Sequence, residues 1–274
     1  EPSIDVAQKL LNYPGIRLNV VTGGPGVVKE ALAAGKKAVT AGPGNPPAVV
    51  DETADLERAA PDIVRGGSLV NNVICTDEKE VIAVGMIADR LKEAFAASGA
   101  IVLQPHQIEQ LRRMVFEKEN GPRKYAVIQR KYVGKNIDVI LRDAGIPCDP
   151  SKRLALCDVD NDHPFLWTEM MMPIMPMTRL RTVDDAIDFA IEVEHGFFHT
   201  ASMHSRNIDK LSKMARACDA SIFVKNGPNF AGLGYGGEGP TSFTIASPSG
   251  EGMTTAKSFT RIRRCTLVDH FRIV

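Results

Sequence analysis

The sequence has no surplus of charge of either sign, since 33 lysine and arginine residues balance 33 aspartate and glutamate residues among 274. A protein that binds nucleic acid needs basic side chains concentrated against phosphate. Long hydrophobic runs are also missing: runs such as residues 81–86 are interrupted by charge well before the roughly 18 apolar residues that span a bilayer. We therefore expect a soluble protein with neither a nucleic-acid nor a membrane partner.

Cysteine and histidine motifs are scarce too. The five cysteines contain no CxxC pair, and the six histidines show no HxxxH or HxH spacing. A disulfide framework and a metal site are therefore not indicated, and a reducing cytoplasm fits best. The chain opens with Glu-Pro-Ser rather than Met and has no basic and apolar leader. We expect no signal peptide and a missing front segment.

Strand-like and helix-like patterns of apolar residues alternate along the chain. Residues 17–40 read as one β-turn-α-β unit with a glycine-rich turn. Residues 77–97 have apolar side chains at helical spacing and are predicted as one amphipathic helix. This alternation predicts an α/β fold. The other predicted helices cover residues 6–11, 27–34, 55 onward with a break at Pro61, 105–119, 136–144, 183–193 and 208–217, and the strands cover 17–22, 37–40, 48–51, 153–157, 174–178, 200–203, 221–224 and 263–268.

The turn of Thr22, Gly23, Gly24, Pro25 and Gly26 lies between a predicted strand and a predicted helix. Free backbone N–H groups at a helix start can bind a phosphate, and proline suits the first helical position. The turn lacks the GxGxxG pattern, and such turns are often only tight corners. The sequence thus leaves two interpretations open, a pyrophosphate site and a structural corner.

Cys75 stands just before the predicted helix 77–97, with Thr76 or Asp77 as the expected N-cap. A thiol at a helix start can have a lowered pKa, which would make Cys75 a nucleophile. The alternative is that Cys75, like most single cysteines, is a buried small apolar residue. We assign that structural role to the other four cysteines, Cys148, Cys157, Cys218 and Cys265.

Glu169 precedes an apolar run that ends in proline, and such an acid is usually a solvated loop residue. His199 and His204 flank the predicted strand 200–203. We expect both histidines to be packed or exposed rather than catalytic.

In this order and spacing, these residues resemble the aldehyde dehydrogenase superfamily over essentially the whole chain. The most similar subgroup is that of the CoA-acylating propionaldehyde and acetaldehyde dehydrogenases of bacterial microcompartments. Each matching stretch is weak alone, but together they are specific. The stretches are residues 44–53, 71–79, 168–173, 204–209, 223–228 and 236–239.

The resemblance implies a partial Rossmann-type cofactor lobe in residues 1–44. It also implies an α/β catalytic lobe in residues 45–252 and a C-terminal oligomerisation segment in residues 253–274, whose strand pairs across subunits. It implies no metal, a homo-oligomer of two or four subunits, and a cytoplasmic location inside a microcompartment with possible shell or cargo partners.

The resemblance also assigns roles to single residues. Cys75 would be the nucleophile and its own backbone N–H part of the oxyanion hole. Ile74 and Thr76 would flank it in the substrate pocket, and Glu169 would hold the nicotinamide ribose hydroxyls. The residues that bind the NAD cofactor around its pyrophosphate would be Thr22, Gly23, Gly24, Pro25, Ala41 and Gly42.

Two departures from the family pattern matter. Hydrolytic members have a glutamate general base where this sequence has Ala41. Without a base to activate water, a thioester on Cys75 should persist until a thiol such as that of CoA attacks it. The other departure is length, because the family's first strands and an oxyanion-hole asparagine have no counterpart in these 274 residues.

The implied reaction is aldehyde, NAD and CoA giving acyl-CoA and NADH, with a short aliphatic aldehyde as substrate. Two alternatives remain open at this point. One is a hydrolytic dehydrogenase or an acyl-group reductase of the same superfamily. The other is a truncated, non-catalytic assembly piece, which need not bind NAD.

Overall fold

The computed structural model describes residues 3–269. Within these residues, no helix combines the length and the hydropathy that a membrane crossing requires. The helices are α1 Ile4–Asn12, α2 Pro25–Ala33, α3 Leu56–Gly67, α4 Gly85–Ala97, α5 Pro105–Val115, α6 Ile137–Asp143, α7 Val183–Val193 and α8 Ile208–Cys218. The strands are β1 Leu18–Thr22, β2 Lys37–Ala41, β3 Pro47–Val50, β4 Glu80–Val84, β5 Ala100–Val102, β6 Phe116–Lys118, β7 Val127–Ile128, β8 Leu154–Asp158, β9 Ile174–Leu180, β10 Thr200–His204, β11 Ile222–Lys225, β12 Ile245–Ala246 and β13 Gly252–Met253.

A seven-stranded sheet with the order β11-β10-β3-β4-β9-β8-β5 forms the centre of the structure. Every neighbouring pair in it is parallel. Helices α3 and α4 pack together and α4 lies against β4, while α7 packs on β3 and β4 and also contacts α8. All residues of β3 and β4 are buried, as expected for a parallel sheet covered on both faces.

A second, two-stranded parallel sheet consists of β1 and β2, in the register Leu18 to Lys37 through Thr22 to Ala41. Helix α2 connects these two strands and packs on β2. The predicted β-turn-α-β unit and the α/β fold class are therefore confirmed. The division of the chain at residues 44 and 252 stays a prediction.

The segment after Cys75 differs from the sequence-based prediction. Residues 77–97 are not one helix, because Glu80–Val84 forms β4 and the helix α4 begins only at Gly85. A short, continuous apolar run fits a buried parallel strand as well as a helix, and periodicity alone cannot separate the two. Neither Thr76 nor Asp77 is thus a helix N-cap.

One further boundary prediction is wrong, and the strand 263–268 stays a prediction, because a strand that pairs across subunits forms its hydrogen bonds only with a partner chain. Helix α3 continues through Pro61, although proline removes one helical hydrogen bond, because Ala59, Ala60 and Ile63 on its inner face are buried. Residues 263–268 are exposed and form no strand in the described part of the chain. The last residues of the predicted oligomerisation segment, 270–274, lie outside the described residues.

The close contact between α3 and the segment after Cys75 gives a stability prediction. A Cβ on Gly66 would collide with the fully buried Glu78 carboxylate. We expect Gly66→Ala to lower the free energy of unfolding by about 1–3 kcal/mol through overpacking. Gly26→Ala is the matched control, since its Cβ meets no atom within 4 Å, and it should be neutral or stabilising by about 0.5–1 kcal/mol.

Denaturant unfolding of the two variants beside the wild type measures both effects. Equal unfolding free energies for Gly66→Ala and the wild type would contradict the close packing of α3 against Glu78.

Candidate active site

A cavity of about 840 Å³ lies where the two parallel sheets meet. One wall is formed by residues at or just after the carboxyl ends of β1 and β2. The opposite wall is formed by loop residues that come before β4, β9 and β10 in the chain. The residues lining it are Thr22, Gly23, Gly24, Pro25, Gly42, Pro43, Val73, Ile74, Cys75, Tyr125, Glu169, Met171, His195 and Phe197.

Of the ten residues to which the family resemblance assigns a role, eight line this one cavity, and Ala41 and Thr76 are the exceptions. Ala41 is the last residue of β2 and is 2% exposed, and its carbonyl accepts a hydrogen bond from the Gly23 N–H at 3.0 Å. Thr76 is 1% exposed. Neither lines the cavity. The identity of residue 41 therefore does not by itself show which nucleophile receives the acyl group.

Several lining residues were not singled out from the sequence, above all Tyr125, Met171 and His195. Met171 and His195 have positive φ values of 49° and 62°, which are rare for residues other than glycine. The His195 Nε2 lies 3.0 Å from the Trp167 carbonyl oxygen. Met171 lies within the matching stretch 168–173 but had no role assigned to it. No short sequence motif indicates Tyr125 or His195, because each belongs to a loop that only the fold brings to Cys75.

The glycine-rich turn forms the start of α2, with Gly24 as N-cap and Pro25 at the first helical position. A Cβ on Gly23 would lie 2.7 Å from the Val27 side chain, so the turn needs glycine there. The first N–H groups of a helix have no partner within it and can bind an anion. The turn therefore has the geometry of a phosphate site and lies in the same cavity as Cys75.

The sequence context of Glu169 suggested a solvated loop acid. That prediction is wrong, because Glu169 is only 7% exposed. Burial raises the pKa of its carboxyl, while the positive charge of Lys79 opposes this shift. A buried carboxylate that faces the cavity is a strong acceptor for hydroxyl groups. Together with the turn at α2, Glu169 provides the donor and acceptor set that a nucleotide cofactor requires.

Cys75 lies in an irregular segment between α3 and β4. The 3₁₀ turn Leu69–Asn72 includes left-handed residues, and Val70, Asn71 and Asn72 have φ values of 46°, 56° and 64°. Such conformations cost about 1–3 kcal/mol each and persist only where the surroundings enforce them. Asn72 is held by its side chain, whose amide donates to the carbonyls of Gly67 and Glu78 at 2.8 Å each.

The expected basis for Cys75 reactivity is wrong, because no helix starts behind it. Its thiol is half-buried, and burial raises its pKa to about 11. The Glu169 carboxylate contributes to this rise, whereas the Lys79 ammonium opposes it. Burial and the charges around the cavity together therefore decide how much thiolate forms.

A second cavity, of about 780 Å³, reaches the same turn, and Ile74 lines both cavities. Leu69, Phe230 and Leu233 give it an apolar wall, and two arginines, Arg65 and Arg153, also line it. Cys75 thus lies on a turn that is open to two separate spaces.

The remaining candidates are consistent with structural roles. His199 and His204 are at most 1% exposed, and burial lowers the pKa of each to about 4. Both are therefore neutral near pH 7. Among residues 3–269, no group of three or more His, Cys, Asp or Glu side chains has the arrangement of a metal site.

Residues 2–258 match the model of the aldehyde dehydrogenase family. The chain belongs to this family. The resemblance of the sequence motifs is thereby confirmed, and the parallel sheet with the cavity at its amino edge is the family's fold in this chain.

The chain is similar to acetylating and CoA-propanoylating aldehyde dehydrogenases. Acetaldehyde dehydrogenase (acetylating) EutE of Salmonella typhimurium is 49% identical over 274 residues, all of this chain and 58% of that protein. Propanal dehydrogenase (CoA-propanoylating) of the same organism is 42% identical over 275 residues, with the same coverage. The chain therefore spans a little over half the length of these relatives.

A solved structure of a similar enzyme has a matching fold. The propionaldehyde dehydrogenase of Rhodopseudomonas palustris, crystallised with propionyl-CoA, is 50% identical and superposes with a TM-score of 0.92. The superposition covers 97% of this chain and 58% of that one.

Glu169 and the thiol of Cys75 interact electrostatically, which gives a prediction for thiol reactivity. Because the Glu169 carboxylate raises the pKa of Cys75, Glu169→Gln should lower that pKa and increase the thiolate fraction below it. We expect faster alkylation of Cys75 by iodoacetamide at pH 8.5 without cofactor, measured by peptide mapping. Glu93→Gln, on an exposed part of α4, is the control and should not change the rate. Slower alkylation in Glu169→Gln would contradict the assigned charge effect.

Proposed function

We propose that this chain is the nucleophile-bearing part of a CoA-acylating aldehyde dehydrogenase, which converts a short aliphatic aldehyde, NAD and CoA to acyl-CoA and NADH. The observation that carries the proposal is the single cavity shared by Cys75, the turn at the start of α2 and Glu169. The acetylating and CoA-propanoylating relatives support it.

Cys75 would act as the nucleophile. Its sulfur forms a bond to the aldehyde carbon, and the carbonyl oxygen becomes an oxyanion that backbone N–H groups of the turn, including that of Cys75, stabilise. Loss of two electrons and the aldehyde hydrogen leaves an acyl thioester on Cys75. The thiol of CoA then attacks the thioester, takes the acyl group and releases the Cys75 sulfur.

The residues present fit a dinucleotide cofactor. Gly23, Gly24 and Pro25 would hold its pyrophosphate at the start of α2, with Thr22 and Gly42 beside them. Glu169 would accept the ribose hydroxyls. NAD, when bound, supplies the acceptor for the two electrons of the oxidation.

Ile74 lines both cavities, whereas Cys75 lines only the one with the glycine turn, so two ligands could reach the turn from different sides. The cofactor, and after it CoA, would occupy the cavity with the glycine turn. The aldehyde would enter through the second cavity, whose wall of Leu69, Phe230 and Leu233 suits a short apolar chain. Ile74, which lines both spaces, would contact the aldehyde next to the nucleophile.

We further infer a homo-oligomer and a place among the cargo of a bacterial microcompartment in the cytoplasm. The support for the microcompartment is a structural neighbour, a propionaldehyde dehydrogenase from the fucose utilisation microcompartment of Clostridium phytofermentans, 39% identical with a TM-score of 0.93. The homo-oligomer rests on the family resemblance alone.

The nucleophile assignment is tested in the full-length protein. Cys75→Ala should lower kcat by more than about 10³-fold, because no other thiol lines the cavity. Cys148→Ala, at a half-buried cysteine outside the cavity, should keep the wild-type rate. NADH formation with aldehyde and CoA measures both. Substantial activity in Cys75→Ala would exclude Cys75 as the acyl carrier.

Omission of CoA tests the acyl acceptor. With NAD and aldehyde alone, we expect one rapid turnover of NADH per site and then a slow phase, with the acyl group found on Cys75 by mass spectrometry. Addition of CoA should restore steady NADH formation and yield acyl-CoA. Equal steady rates with and without CoA, with free acid as product, would show a hydrolytic enzyme instead.

A further inference from the structure

Lys79 lies directly under the turn that carries Cys75. It is 2% exposed and among the largest fully buried side chains of the described residues. Its backbone N–H donates to the Pro46 carbonyl at 3.0 Å, at the point where β3 and β4 begin side by side. The side chain therefore starts from a rigid part of the central sheet.

The Lys79 ammonium makes three hydrogen bonds, all to the turn. It donates to the Asn72 carbonyl at 2.7 Å, to the Asn72 side-chain oxygen at 2.9 Å and to the Ile74 carbonyl at 3.0 Å. These bonds use all three donors of the ammonium. They fix the last left-handed residue of the turn and the residue that precedes Cys75.

No carboxylate forms an ion pair with Lys79 within the described part of the chain. A buried charge without a direct counter-ion is expensive, and replacing it by an apolar residue often stabilises a protein. Stability alone therefore does not explain a lysine here. Its positive charge instead acts on the thiol of Cys75 and on the Glu169 carboxyl.

We propose that Lys79 is a positioning residue for Cys75: its ammonium holds the turn in the shape that presents the sulfur to the cavity with the glycine turn, and its charge favours the thiolate. The proposal rests on the proposed function, because a thiolate is needed only if Cys75 is the nucleophile. Lys79 touches neither cavity and acts only through the turn.

The titratable groups around Lys79 belong to several segments. Its own segment contributes Asp77, Glu78 and Glu80, the loop before β9 contributes Glu169, and the loop before β10 contributes His199. Burial raises the pKa of Asp77 to about 7 and that of Glu78 to about 8. Glu80, which faces Glu194, also has a strongly raised pKa because it is buried. These acids therefore cancel less of the lysine charge at neutral pH than ionised carboxylates would.

The test uses Lys79→Met and Lys79→Gln in the full-length protein, with Lys213→Met as control. Lys213 is an exposed lysine on α8 that pairs with Asp184. Alkylation of Cys75 by iodoacetamide is followed by peptide mapping between pH 7.5 and 9.5. Both Lys79 variants should be alkylated about tenfold more slowly at each pH, because each unit of upward pKa shift lowers the thiolate fraction tenfold. Lys213→Met should match the wild type.

Alkylation separates this role from a merely structural one. If Lys79 only held the fold together, its loss would loosen the turn, expose Cys75 and leave alkylation unchanged or faster. Such a result in a folded variant would overturn the proposal. In steady-state assays we expect kcat to fall with the alkylation rate while the KM for the aldehyde changes much less, and an effect on KM alone would also contradict it.

A charge-preserving variant covers the case in which neither neutral variant folds. Lys79→Arg should keep the alkylation rate within about threefold of the wild type, since the positive charge remains. A tenfold loss in Lys79→Arg, or a failure of all three variants to fold, would assign Lys79 to the stability of the fold and overturn the proposal. Alkylation needs no turnover, so the result stands even if the wild type forms no acyl-CoA and the proposed function fails.

Discussion

The site depends on the crossing of the chain from the carboxyl end of β2 to the amino end of β3. Residues 42–46 make this crossing and bring the edges of two parallel sheets together. The approach is so close that a Cβ on Gly44 would lie 2.7 Å from the Cys75 carbonyl oxygen and 3.1 Å from the His199 ring. Open α/β sheets usually bind ligands at the carboxyl ends of their strands. Here the small sheet follows that rule, whereas the large sheet contributes the loops that precede its strands.

The loops before the strands of the large sheet line the cavity, and the buried strands behind them hold these loops in place. β3 and β4 are buried throughout, and so are the residues just before β4, Asp77, Glu78 and Lys79. Burying polar groups costs several kcal/mol unless they find partners. Lys79 and one oxygen of Asp77 bond to backbone groups of the Cys75 turn, and one oxygen of Glu78 accepts from the Asn229 N–H at 2.7 Å. The other oxygens of Asp77 and Glu78, and both carboxyl oxygens of Glu80 at the start of β4, have no hydrogen-bond partner among the described residues. The bonds of Asn72, Asp77 and Lys79 hold the shape of the turn.

Burial and two opposing charges determine the pKa of the Cys75 thiol. Glu169 disfavours the thiolate and Lys79 favours it, while burial alone disfavours it most. A ligand that pairs with Glu169, as ribose hydroxyls would, changes this balance without touching the sulfur. Ligand binding in the cavity and ionisation of the Cys75 thiol are thus physically linked through the Glu169 side chain.

The sequence by itself determined the fold class and the glycine turn at the start of α2, because these depend on local pattern. It also identified Cys75 and Glu169 as candidate site residues through family motifs of consecutive residues. It gave the wrong surroundings for Cys75, since five consecutive apolar and acidic residues fit a helix as well as the buried strand β4. Only the tertiary structure decided that Ala41 and Thr76 lie outside the cavity, that Tyr125, Met171 and His195 lie inside it, and that Lys79 supports the turn. The physical reason is that most of these contacts join residues that are distant in sequence, and no local pattern records which strands become neighbours. The Lys79 contacts span only five to seven residues, but they depend on the irregular shape of the turn.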